Sequence, residues 1–119
     1  MAAMKKLADF KNEEGIVVAS KILPIIIEIL SVEKNLESKN EKNPLIMFSN
    51  FMKNSPAEMK RIFAILSQED ENNYNCDGSQ ALFNMLVLAN DPVLVGLFIS
   101  QGQKGDAKSS GSVSVNTEE

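Results

Sequence analysis

Ser55-Pro56-Ala57-Glu58-Met59-Lys60-Arg61-Ile62-Phe63-Ala64-Ile65-Leu66 is the stretch that decides the fold. Serine at the cap, proline at the first helical position and glutamate at the third are the residue types that satisfy the orphan amides of a helix start. Met59, Ile62, Phe63 and Leu66 then share one helical face, and Lys60 and Arg61 lie off it. The spacing predicts a helix from Pro56 that turns one apolar stripe toward a core.

The neighbouring segments carry the same period. Upstream, Met47, Phe48, Phe51 and Met52 recur at helical spacing between Leu45 and Met52, and Asn54-Ser55-Pro56 ends that helix. Downstream, Glu69 to Gly78 is polar and turn-prone. A helix is predicted from about Ser79, with Leu82, Met85, Leu86 and Ala89 as its apolar stripe. Asn90-Asp91-Pro92 repeats the cap-plus-proline device and opens a last helix carrying Val93, Leu94, Leu97 and Phe98. The folded part is expected to end near Ser100. Residues 101–119 contain no leucine, isoleucine or aromatic residue and are rich in glycine and serine, so a disordered tail is expected there.

The N-terminal third reads less simply. Met4, Leu7 and Ala8 suggest a short amphipathic helix that docks on something. Residues 16–32 are the most apolar in the chain. Lys21 and Glu28 would each cost roughly 2.5–3.5 kcal/mol at the centre of a bilayer, so no membrane span is expected. As helix, Ile22, Ile26, Ile29, Leu30 and, further on, Leu36 align on one face, and the preferred reading is a buried helix broken at Pro24. Minor β content around residues 16–27 is the open alternative, because the Ile and Val content favours strands and Pro24 suits an edge. Residues 33–44 alternate in charge around a lone apolar residue, which reads as a frayed helix end and a polar linker. The fold class is therefore all-α: a small bundle of about five helices over residues 1–100, followed by the tail.

Composition narrows the function. The 119 residues carry 12 lysines and arginines against 16 aspartates and glutamates, a net charge of −4, and no histidine. An acidic chain without a basic stripe is a poor nucleic-acid ligand. Cys76 is the only cysteine, so no internal disulfide can form and a reducing compartment is expected. Asp9, Lys11 and Glu13 interrupt what would be the apolar core of a secretion signal. Without histidine, the usual general base and nitrogen metal ligand are missing. No Gly-x-Ser-x-Gly elbow or phosphate-cradling loop occurs. The Glu69-Asp70-Glu71 cluster reads as a solvated loop. Asn73-x-Asn75-x-Asp77-Gly78 imitates half of a calcium loop but has Asn84 where a bidentate glutamate is needed, so a connecting turn is expected, with Tyr74 and Cys76 pinning it to the core. These absences predict a non-enzymatic protein with no cofactor and no metal.

What remains is apolar surplus. The segments Ile46-Met47-Phe48 and Leu97-Phe98-Ile99 are apolar around more than one helical face. Together with Phe51 and Met52 they form the candidate interface for self-association or partner capture, for which flexible methionines are well suited.

Met47-Phe48-Ser49-Asn50-Phe51-Met52, Ser55-Pro56-Ala57-Glu58-Met59, Asn90-Asp91-Pro92 and Ser109-Ser110-Gly111-Ser112-Val113-Ser114 together resemble the tail assembly chaperones of long-tailed bacteriophages of Gram-positive hosts. The likeness covers residues 45–119 and leaves out the apolar segment around Pro24. It implies a helical protein of the host cytoplasm that coats the tape measure protein, self-assembles into rings or spirals, and is absent from the mature virion. In some members a frameshifted longer form recruits tail tube protein. The alternative from charge alone is an acidic regulatory adaptor or inhibitor that masks a surface of another protein.

Overall fold

Proline opens three of the helices and interrupts none. The computed structural model describes residues 4–104, which form a 3-10 turn (Leu7–Asp9) and six helices: α1 Asn12–Leu30, α2 Glu33–Ser38, α3 Pro44–Asn54, α4 Pro56–Leu66, α5 Gly78–Ala89 and α6 Pro92–Lys104. Pro44, Pro56 and Pro92 stand at first helical positions, where the missing amide costs nothing. Asn43 caps α3 by accepting from Leu45 N, and Asp77 caps α5 by accepting from Gln80 N. Asp91 Oδ1 accepts from Val93 N and Leu94 N at the head of α6. Ser55 stands at the head of α4 without capping it, because its hydroxyl instead accepts from Asn35 Nδ2 at 2.8 Å.

Residues 16–27 are neither strand nor broken helix. α1 runs unbroken through Pro24, whose ring faces solvent, where hydration can serve the carbonyl it leaves unbonded. Val18, Ile22, Ile25, Ile26, Ile29 and Leu30 face inward against α4 and α6, so the helical period overrides the strand propensity of Ile and Val. In the second layer α3 lies between α2, α4 and α5. The two layers share one core. Within it Phe48, Phe51 and Phe98 bring α3 and α6 together at ring-centroid distances of 4.9–5.7 Å. Such packing adds about 0.5–1.5 kcal/mol per pair beyond area burial.

Two further expectations are corrected. The polar linker at 33–44 contains α2, and its Asn35 is fully buried. The Asn35 amide donates to Ile29 O and Ser55 Oγ, both at 2.8 Å, and accepts from Asn54 Nδ2 at 3.1 Å. Satisfied in this way, a polar side chain ties together the end of α1, α2 and the α3–α4 corner. α6 continues past Ser100 to Lys104, since Gln101, Gln103 and Lys104 are good helix formers and one glycine does not stop them. The tail is expected over 101–119, and residues 105–119 of it lie outside the described residues.

The N-terminal strap forms only the 3-10 turn, but it does dock. Met4 and Phe10 are buried, Lys5 N donates to Leu66 O at 2.9 Å, and Leu7 N donates to Asp91 Oδ2 at 2.8 Å. A Cβ at Gly15 would lie 2.6 Å from the Phe10 carbonyl oxygen, so the strap can meet α1 this closely only at glycine. Replacing Asn35 by alanine strands the groups it joins and is expected to lower the unfolding free energy by about 1–3 kcal/mol. The neighbouring exposed Leu36→Ala should change it by less than about 0.5 kcal/mol, with urea denaturation reading both.

Candidate functional site

The eight residues expected to form an interface divide by helical geometry. Met47, Phe48, Phe51 and Phe98 are buried in the core, so the expectation that they offer free surface is corrected. The structure does bring the two segments together, but as the aromatic contact between α3 and α6. Met52, Leu97 and Ile99 are partly buried against that core, and Ile46 alone remains exposed. In α3, residues 47, 48 and 51 share the inward face, and Ile46 turns away from it.

An exposed apolar surface outside those eight residues lies on α5, rotated from where hydropathy placed it. Asn84 and Met85 face the core with Leu88, and Asn84 is completely buried. Its Nδ2 donates to the Tyr74 hydroxyl at 3.0 Å, and its Oδ1 accepts from Gln80 Nε2 at 3.0 Å. Tyr74 is itself buried and anchors the 69–77 loop over α5, while Cys76 packs partly against the same core. Holding Asn84 inward forces Leu82, Phe83 and Leu86 outward, where they are 57%, 52% and 45% exposed. Val93, 52% exposed, follows beyond the Asn90–Asp91 turn.

This surface carries no charge. Residues 78–103 contain one ionisable side chain, Asp91, and it is buried and bonded to the amides of Leu7, Val93 and Leu94. Leu82, Phe83 and Leu86 are neighbours on one helical face and together expose about 300 Å² of apolar area, comparable with the largest apolar patch of a typical monomer; its distinguishing feature is the lack of charge around it. A second, separate row lies on the outer side of α1, where Ile16, Leu23 and Ile27 are exposed. α5 packs on α3 and α6, and α1 on α4 and α6.

The surplus is visible in the sequence as an uncharged helix with an unbroken apolar run: Met85, Leu86, Val87, Leu88 and Ala89 occupy every face after Leu82 and Phe83. The direction of that surplus is not visible there, because it is set by a buried asparagine. Among the described residues no group of three or more Cys, Asp or Glu side chains is arranged to hold a metal ion. Asp77 of the calcium-like loop is the α5 cap. Among the described residues no single helix is long and apolar enough to cross a membrane. α5 and α6 pass on length and composition only as a pair, bent by 81°.

Burial pushes the Tyr74 phenol above its ordinary value of 10.0, opposed in part by hydrogen bonds with Asn84 and Ser67. A raised folded-state value means that the fold holds its proton while the unfolded chain releases it. The Tyr74 contribution to stability is therefore complete below the unfolded pKa and is lost as pH rises through the folded one. Tyr74 is the only tyrosine, so tyrosinate absorbance reports on it alone. The native midpoint should lie above that in concentrated urea, and equal midpoints would contradict this burial. No protein family matches the chain, and no curated protein or solved structure compared with it is similar.

Proposed function

We propose that this chain is a non-enzymatic assembly chaperone of a long-tailed phage, which covers the tape measure protein while the tail is built. The observation that carries the reading is the uncharged apolar face of Leu82, Phe83 and Leu86 on α5, with Val93 also exposed at the head of α6. A long helical client presents its own apolar stripe, and laying that stripe on α5 removes both faces from water. Burying the α5 patch is worth about 7 kcal/mol gross, from which the cost of association is subtracted. Acidic charge elsewhere keeps the covered client soluble. The resemblance over residues 45–119 points to the same class of client.

A chaperone that coats a filament needs contacts with its neighbours as well as with its client. The outer row of α1, Ile16, Leu23 and Ile27, is the surface available for copies of this chain to meet, giving a ring or spiral. Tail tube protein is the further partner that the family resemblance implies. The reading places the protein in the host cytoplasm during assembly and outside the mature virion.

The test is light scattering of the full chain together with binding to a coiled-coil fragment of the tape measure protein. Assemblies larger than a monomer and saturable binding are expected. Phe83→Ser combined with Leu86→Ser should weaken client binding at least about tenfold, with a change in unfolding free energy of less than about 1 kcal/mol because both side chains are already half in water. A strict monomer at high concentration that binds no tape measure fragment contradicts the proposal.

A further inference from the structure

On a different side chain set, the structure forms a groove with an apolar floor and an acidic rim. α4 ends at Leu66, and Gln68 takes the left-handed conformation (φ 60°), with Glu69 N donating back to Ala64 O at 3.0 Å. This reversal carries Glu69, Asp70 and Glu71 against the first turns of α1, where Gln68 Nε2 donates to Glu14 Oε2 at 3.2 Å. The groove between them encloses about 740 Å³. Phe10, Val17, Val18 and Ile65 line it, as do five carboxylates, Glu13, Glu14, Glu69, Asp70 and Glu71, against one cation, Lys21.

Several observations identify the chemistry of an occupant. Among the described residues the ion pairs found belong to Arg61, which binds Glu71 at 3.0 Å and Glu28 at 3.5 Å, so Glu13, Glu14, Glu69 and Asp70 keep their charge uncompensated. Glu69 Oε2 is shut off from solvent and has no hydrogen-bond partner among the described residues. A carboxylate oxygen in that state costs free energy, which adds to the excess of negative charge at this wall of the groove. The carboxylates are not gathered as a metal site, so their spacing suits cations spread along a chain instead of one ion. The Phe10 wall already faces one ammonium, with Lys5 Nζ 5.7 Å from its ring centroid.

We propose that this groove docks a short cationic amphipathic segment of a partner protein, whose arginines or lysines meet the carboxylate rim while its apolar side chains lie on the exposed Val17, above the largely buried Phe10, Val18 and Ile65. The α1 wall from Glu13 to Lys21 spans about 12 Å, which sets the segment at about two helical turns. Arginine fits best, since its planar fork satisfies two carboxylate oxygens at once and its stem covers apolar surface. The groove is separate from the α5 face, so its occupant and the helical client do not compete for residues.

The probe is a labelled peptide of about twelve residues with arginines on one face and valines and leucines on the other, titrated into the full chain by fluorescence anisotropy. Saturable binding is expected, weakening at least about tenfold between roughly 50 and 300 mM salt. Glu69→Gln should weaken it about tenfold, and the exposed, unbonded Glu13→Gln about threefold without touching the fold. Phe83→Ser, which disables the α5 face, should leave peptide binding unchanged, so failure here and failure of the chaperone reading are told apart. Equal binding of a peptide with glutamine for every arginine, or parental affinity in both glutamate variants, overturns the proposal.

Discussion

The amide of Asn84 decides which side of α5 reaches solvent. It is a polar group inside an apolar helix, and it is buried because Tyr74 and Gln80 supply the hydrogen bonds it gives up in water. A buried amide without those partners would cost several kcal/mol, more than an exposed leucine gains by turning inward. The hydrogen bond therefore outranks hydropathy in setting the rotation of the helix. Leu82, Phe83 and Leu86 are outside because Asn84 is inside, and the loop that delivers Tyr74 is held in turn by its own burial.

Charge is segregated along the chain in a way that complements this rotation. Residues 78–103 hold a single, buried carboxylate, and the remaining ionisable groups lie in the segments before and after. One part of the molecule thus offers contact without electrostatic selection, suited to apolar stripes that vary in detail. The groove between α1 and the turn after α4 does the opposite: its carboxylates select by charge and its floor adds affinity only to a segment that satisfies them. The two surfaces differ in chemistry, so each would recognise its own occupant.

Much of the fold was legible because the sequence punctuates its helices. Pro56 and Pro92 marked helix starts, and the 3.6 period placed Met59, Ile62, Phe63 and Leu66 inward, as they are. The errors share a cause. Asn35 and Asn84 are polar residues in buried positions, and the cost of burying them is offset in part by Ser55 and Tyr74, 20 and 10 residues away, which periodicity cannot reveal. Phe48, Phe51 and Phe98 exceed what either helix needs for its own inward face, but the three rings fill one another's space across α3 and α6. Pro24 read as a break because its solvent-facing position in α1 depends on which face the neighbouring isoleucines bury. The acidic groove was hidden for the same reason: Glu13 and Glu69 meet only through the reversal at Gln68.

The six phenylalanines give the most direct measurement. Five are buried and Phe83 alone is exposed. With fluorine-labelled phenylalanine and a soluble paramagnetic agent, one of the resonances should broaden strongly, and assignment by Phe83→Tyr should identify it. Adding a helical tape measure fragment should shift that resonance and protect it from the agent, leaving Phe48, Phe51 and Phe98 as they were. Broadening of the α3–α6 phenylalanines in the free protein, or their movement in place of Phe83 when the fragment binds, would contradict the assignment of the binding face to α5.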